Sequence, residues 1–241
     1  MSLESHMIKG ILFDKDGTLL EFIKLWHGII GNVLKALKVH YYLSKETLDE
    51  LKRISGFQKD KFDKESMIQY LATTQIADLW CEVINKDSNL ITYKELMELF
   101  EEKAGEENLV ITALKGVKEL LNYLKEKGYT LGVATADTKE STHNGLRKSG
   151  IIDYFDYIGC NEEDANPKPS PDMAIQFCQI CKLKSEEVLI VGDSVTDMEF
   201  ADNARTQFIG IKTEYNDYGE FVKRNKPAVD NIYDIIKVMK L

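Results

Sequence analysis

Ile11-Leu12-Phe13-Asp14-Lys15-Asp16-Gly17-Thr18 closes the first apolar run of the chain and places two acids two residues apart. Successive residues of a strand point to opposite faces, so positions i and i+2 share one. Two carboxylates held that close repel unless a cation or a shared proton separates them. Once the strand ends, Gly17 gives the backbone freedom to turn one of them aside. A divalent ion that prefers oxygen ligands, such as Mg²⁺ held by one or two carboxylates and a substrate phosphate, suits the pair. The same residues also read as a strand followed by an ordinary Asp-Gly turn. The rest of the chain has to decide between the two.

Working outward, four further apolar, β-rich runs recur at Tyr129–Ala134, Tyr157–Cys160, Val188–Val191 and Phe208–Ile211, with the first at Ile8–Phe13. Helical patterns separate the later four: Leu114–Lys127, Lys139–Ser149, Pro171–Lys182 and Asp197–Ala204. The first carries Val117, Leu120, Leu121 and Leu124 on one face and stops at Gly128, a C-terminal glycine signal. Such alternation implies a parallel sheet with helices on both faces. Short apolar runs without strict alternation fit strands buried on both sides.

From about Leu20 to Thr112 the rhythm changes. Helix patterns fill this stretch at Phe22–Leu37, Lys45–Ile54, Lys64–Ala72, Ile76–Ile84 and Tyr93–Ala104. Ser44 suits the cap of the second, and Thr92 with Glu95 forms a capping box for the last. We therefore expect residues 8–20 and 113–241 to form the α/β core and residues 21–112 a helical insert. Leaving the core just after Asp16, it is expected to hang over the carboxyl ends of the strands, where open α/β sheets bind ligands. Leu20-Glu21 and Thr112-Ala113 are the expected hinge.

Each later strand ends in polar residues of a distinct kind: Thr135-Ala136-Asp137, Asn166-Pro167-Lys168-Pro169-Ser170-Pro171, and Gly192-Asp193-Ser194-Val195-Thr196-Asp197. In a parallel sheet these ends lie on one edge and can converge. Singly, Thr135 reads as a helix N-cap, Lys168 as a loop lysine and Asp193 with Asp197 as a helix start. Jointly, those separate explanations would all have to hold by coincidence.

Taken in order, Asp14-Lys15-Asp16-Gly17-Thr18, Thr135, Lys168 and Gly192-Asp193-Ser194 with Asp197 resemble the four motifs of the haloacid dehalogenase superfamily phosphatases. Among these the chain is most similar to phosphoglycolate phosphatase-like enzymes with a helical C1 cap. The resemblance implies a Rossmann-like core with an inserted helical cap. It also implies a hydrolase acting on a small phosphorylated metabolite, phosphoglycolate-like or a sugar phosphate monoester. Asp14 would be the nucleophile that forms an aspartyl-phosphate, and Asp16 the general acid and then base. Gly17, Thr18, Thr135, Ala136 and Lys168 would bind the phosphoryl group. Mg²⁺ would be held by Asp14, the Asp16 backbone carbonyl and Asp193, with Ser194 and Asp197 in support. The alternative is a phosphomutase similar to β-phosphoglucomutase, which shares all four motifs. Asp16 argues against the dehalogenase branch, which lacks the second acid. A two-component receiver domain has no large helical insert.

Two residues depart from the family pattern. Lys15 stands where an apolar residue is usual, and either adds to the phosphate field or points to solvent. Ala204-Arg205 replaces the usual Ala-Gly. Within the insert, Trp26, His27, Phe57, Lys59, Lys61 and Lys64 are candidates for contacts with the organic part of the substrate.

The remaining composition narrows the partners. The 241 residues carry a net charge of −9 with acids and bases interspersed. That argues against a nucleic-acid partner, and no apolar run approaches the ~20 residues a membrane span needs. Cys81, Cys160, Cys178 and Cys181 are too scattered for a disulfide framework; Cys178 and Cys181 read as buried thiols of one helix. A cytoplasmic monomer or weak homodimer is expected. Met1 to Met7 read as a tag remnant before a native start at Met7.

Overall fold

Gly10–Phe13 forms β1, and all four of its residues are buried. The chain adds β2 (Thr130–Ala134), β3 (Tyr157–Gly159), β4 (Val188–Gly192), β5 (Gln207–Ile211) and β6 (Ala228–Val229). This computed structural model describes residues 8–59, 61–63, 66–69, 71, 73–86, 90–106, 111–161, 165–213 and 218–240. Met1 to Met7 and Lys64 lie outside them. The strands form one sheet in the order β3-β2-β1-β4-β5-β6, and every pairing is parallel. That is the order of a doubly wound sheet, in which the strand sequence reverses beside β1. All five expected strands are present within two residues. The two-residue β6 at the sheet edge was not foreseen.

Helices α5 (Val117–Glu126), α6 (Lys139–Lys148), α7 (Asp172–Cys181) and α8 (Val195–Ala204) occupy the crossovers. On α5, Val117, Leu120, Leu121 and Leu124 are all fully buried, as their spacing predicts; each contributes roughly 1.5–3 kcal/mol. One face of the sheet is covered by Met173, Phe177, Met198 and Phe200, packed with Leu12 and Ile190. Two short helices were not foreseen: α9 (Gly219–Lys223) between β5 and β6, and α10 (Ile235–Met239) after β6. Cys178 is buried, but Cys181 is partly exposed, so the expectation of two buried thiols holds for only one. Arg205, at the usual glycine position, closes α8 in the left-handed region at φ 56°, a conformation that costs a non-glycine residue ~1 kcal/mol.

The chain divides into two compact units, Met1–Glu21 with Ile111–Leu241, and Phe22–Val110. The second contains α1 (Phe22–His40), α2 (Lys45–Ile54), α3 (Thr73–Ile84) and α4 (Tyr93–Gly105). Ser44 accepts from the Thr47 amide, and Thr92 and Glu95 make the expected capping box. Trp80 is fully buried against Phe100 and donates Nε1 to Ser55 Oγ at 3.0 Å. The helix expected at Lys64–Ala72 is replaced, over its described part, by a single 3-10 turn at Met67–Gln69. Ser66 there donates its hydroxyl to the Ser55 carbonyl and accepts from the Ile68 amide at 3.3 Å, the second a local bond that competes with helix formation.

In the sheet unit, the segments that leave and return are paired. Leu20 bridges Ala113 in antiparallel fashion. The Glu21 amide donates to Thr112 O at 3.0 Å, the Leu114 amide to Leu19 O at 2.9 Å, and the Thr112 hydroxyl to Glu21 Oε2 at 2.7 Å.

Candidate active site

Phe13 stands in register between Val133 and Val191, so the segments that follow β1, β2 and β4 leave the sheet at one edge. Asp14 extends the pairing by one residue, its amide donating to Val191 O at 2.8 Å. Beyond it the backbone turns: Leu19 and Leu20 amides both donate to Lys15 O at 2.9 Å. Gly17 makes the turn at φ 80°, and a Cβ there would sit 2.4 Å from Asp193 Oδ2. The residue must therefore be glycine on two counts, conformation and space.

Lys168 comes in from the β3–α7 loop with its side chain 6% exposed. Its ammonium donates to Asp14 Oδ1 at 2.5 Å and to Asp197 Oδ1 at 2.6 Å. Asp197 is held a second time: its Oδ2 accepts from Ser194 Oγ at 2.6 Å and from the Ser194 amide at 3.1 Å. This is a capping box on α8, so one carboxylate both starts the helix and anchors the lysine. Gly192 is needed here because an added Cβ would lie 2.4 Å from Asp197 Cβ.

Asp14, Asp193 and Asp197 place carboxylate oxygens within 4.8 Å of one another. Burial raises the Asp14 carboxyl to about 7, with Asp197 and Asp16 adding to the rise against Lys168. Asp193 is raised well above the ordinary carboxylate range, by burial and then by Asp14 and Asp197. Burial tends to lower the Lys168 ammonium, but Asp14 and Asp197 outweigh it and hold it above the usual lysine value. Three carboxylates and one ammonium leave two negative charges, which a divalent cation balances. The donors are all oxygen, the set that suits Mg²⁺ and not a softer metal. The residues therefore fit the ion.

Asp16 faces a different group. Its Oδ2 lies 2.8 Å from Lys15 Nζ, while Oδ1 is buried with no hydrogen-bond partner. Lys15 is 1% exposed and also donates to Asp137 Oδ2 at 2.9 Å. The solvent-facing alternative for Lys15 is thus wrong, because two carboxylates draw the ammonium inward. Burial raises Asp16 in spite of Lys15. Asp137 stays below its ordinary value, because Lys15 and Ser141 outweigh its burial.

Among the expected phosphate-binding residues, Thr135 is buried and its Oγ1 accepts from the Asp137 amide at 3.2 Å. Ala136 is exposed beside it, and Thr18 is fully buried with an unpaired hydroxyl. Asp14, Lys168, Asp193, Ser194 and Asp197 are joined in one cluster. Asp137 is the site residue that the sequence motifs do not assign. The cue was available in retrospect: an extra cation between the two acids calls for an extra anion. In the helical unit, His27 stacks on Phe57 at 4.3 Å and donates Nε2–H to Gln58 O at 2.8 Å. Trp26, Lys59 and Lys61 lie in the same unit.

Residues 11–211 match the family model of haloacid dehalogenase-like hydrolases. A putative pyrophosphatase PpaX from Caldanaerobacter subterraneus subsp. tengcongensis is 26% identical over 238 residues, covering 97% of this chain and 95% of its own. The crystal structure of a predicted phosphoglycolate phosphatase from Haemophilus somnus 129PT superposes with a TM-score of 0.71 at 25% identity, covering 96% and 98% of the two chains. A putative β-phosphoglucomutase from Thermotoga maritima shares the fold, with a TM-score of 0.70 at 18% identity over 97% and 99% of the chains. Among the described residues, no helix is long and apolar enough to cross a membrane.

Proposed function

The chain belongs to the haloacid dehalogenase-like hydrolase family, and from that premise we propose that it is a Mg²⁺-dependent phosphatase of small phosphorylated metabolites. The observation that carries this reading is the Lys168 ammonium bridging Asp14 and Asp197 beside Asp193. A buried carboxylate next to a cation-compensated acidic cluster is suited to attack phosphorus. Phosphoryl transfer asks mainly for positioning and for neutralising charge spread over three oxygens.

In the proposed course, an Asp14 oxygen bonds to phosphorus as the P–O bond to the organic group breaks. The electron pair of that bond goes to the leaving oxygen, which takes a proton from Asp16. Water then attacks the aspartyl-phosphate and gives its proton to Asp16, releasing inorganic phosphate and the Asp14 carboxylate. Splitting one displacement into two lowers each barrier. Lys168 and the Thr135 hydroxyl bind phosphoryl oxygens, with Gly17, Thr18 and Ala136 lining the approach. Asp14, the Asp16 carbonyl and Asp193 would hold Mg²⁺, with Ser194 and Asp197 in support. When bound, the ion would supply positive charge that offsets the repulsion of a carboxylate for a phosphate dianion.

The helical unit is proposed to select the organic part of the substrate, as a cap, with Leu20-Glu21 and Thr112-Ala113 as its hinge. Substitution of His27 by alanine should then alter the ratio of kcat/KM values between two metabolites more than it alters turnover of a small aryl phosphate.

The test is a panel of phosphoglycolate, sugar phosphates and pyrophosphate, assayed for phosphate release with Mg²⁺ and with chelator. Metal-dependent release from at least one monoester supports the proposal. Cleavage of pyrophosphate alone would move the substrate class to an anhydride. Interconversion of sugar phosphates without phosphate release would make the protein a mutase.

A further inference from the structure

Lys15 is an unusual residue to find sealed in a protein. It is 1% exposed, and its ammonium sits 2.8 Å from Asp16 Oδ2 and 2.9 Å from Asp137 Oδ2. Asp137 is in turn fixed from the other side. Ser141 Oγ donates to the same Oδ2 at 2.6 Å, and the Thr138 amide donates to Oδ1 at 3.0 Å. Ser141 is in the first turn of α6, so the chain Asp16–Lys15–Asp137–Ser141 ties the turn after β1 to a rigid helix.

We propose that Lys15, backed by Asp137, is a positioning residue that fixes the orientation of the Asp16 carboxyl. This rests on the general-acid reading of Asp16 above. An ammonium has three donors and no acceptor. The oxygen that faces it, Oδ2, must therefore accept, and the carboxyl cannot rotate without breaking that contact.

A purely structural ion pair is the competing explanation, and the two differ in a measurable way. Removing one partner of a buried ion pair is destabilising because the charges left behind are uncompensated, so Lys15→Met should melt below the parent, while Asp16 becomes free to turn. The loss should fall on substrates that need protonation of the leaving group. General acid catalysis is worth ~10²–10⁴-fold, so a mispositioned acid should cost alkyl phosphates about 30-fold or more in kcat/KM. For p-nitrophenyl phosphate, whose leaving group departs with little protonation, the cost should be at most about 3-fold.

The experiment measures kcat and KM for Lys15→Met, Ser141→Ala and Asp16→Ala over a series from alkyl to aryl phosphates. Asp14→Asn serves as a control on the reaction itself. The expected result is a steeper dependence of kcat/KM on leaving-group basicity in Lys15→Met, carried by kcat with KM little changed. Ser141→Ala should show the same trend more weakly. Adding Lys15→Met to Asp16→Ala should cost nothing further. Equal losses across the series, a loss confined to KM, or additivity with Asp16→Ala would each overturn the positioning role. If Lys15→Met shows no cooperative melting transition, Ser141→Ala decides, and an unchanged slope there overturns the proposal. Retained turnover in Asp14→Asn would instead sink the nucleophile assignment, and the role of Lys15 with it.

Discussion

Replacing Asp14 by asparagine should abolish turnover and, in the absence of divalent metal, make the protein more stable. In the fold the Asp14 carboxyl is pushed up to about 7, by burial first and then by Asp197 and Asp16 against Lys168, from an ordinary value of 3.8. Between those two values the folded protein holds a proton that the unfolded chain has released. Stability therefore falls as pH rises through that window; the penalty is absent below it and complete above it. A rise of about 3 pK units at ~1.4 kcal/mol each sets an upper bound of about 4 kcal/mol. Asparagine carries no such penalty and keeps an oxygen for Lys168. Part of the gain is lost because the buried ammonium then faces one carboxylate fewer. A net stabilisation of about 1–3 kcal/mol at about pH 8 is expected, a rise in Tm of about 3–9 °C for a chain of this size. The difference should shrink toward zero at about pH 4. Mg²⁺ should reverse the order, since the parent gains about 2.7 kcal/mol at a hundred times its Kd while the variant has lost a ligand. Calorimetric melts of both proteins at the two pH values, with chelator and with MgCl₂, measure all four quantities. The reasoning is refuted if Asp14→Asn melts below the parent at the higher pH in chelator, or if the gap does not change with pH.

Two further outcomes follow from the same geometry. Lys168→Met removes the ammonium between Asp14 and Asp197, and kcat/KM for any phosphate substrate should fall by about 10²–10³-fold; steady-state kinetics at saturating Mg²⁺ checks it, and a loss under tenfold would count against a phosphoryl-binding role. Gly17→Ala places a Cβ 2.4 Å from Asp193 Oδ2 at φ 80°, which should cost ~1–2 kcal/mol of backbone strain and displace a proposed metal ligand; a Mg²⁺ titration of activity should show a half-saturating concentration at least about tenfold higher.

The fold is most legible in the sequence where one residue pattern answers to one local rule. Ile11-Leu12-Phe13 and Val188–Val191 are apolar without alternation, and both became strands buried on both faces. The spacing of Val117, Leu120, Leu121 and Leu124 is that of a single helix face, and the Thr92-x-x-Glu95 box sets a helix start by bonds spanning three residues. Because parallel strands present their carboxyl ends at one edge, Asp14, Thr135 and Asp193 are assignable to that edge from strand direction alone. Short elements escaped. Ala228–Val229 is two residues long and α9 and α10 five each, too brief for any periodicity to show; they exist because the sheet edge and neighbouring helices already offer partners.

What the sequence determined by itself is the order of strands and helices and the set of acids, lysine and threonine delivered to one sheet edge, since periodicity and strand direction are local properties. Which partner each charge takes was decided only by tertiary structure. Lys15 lies between two acids in the chain, yet its burial depends on Asp137, 122 residues away, arriving with its carboxylate already held by Ser141. Asp197 likewise serves as cap and as anchor because Lys168 reaches it from a different loop, 29 residues before. A buried charge is stable only when its counter-charge is brought to within hydrogen-bond reach, and that meeting is a property of the folded sheet edge, with no trace in the spacing of either residue along the chain.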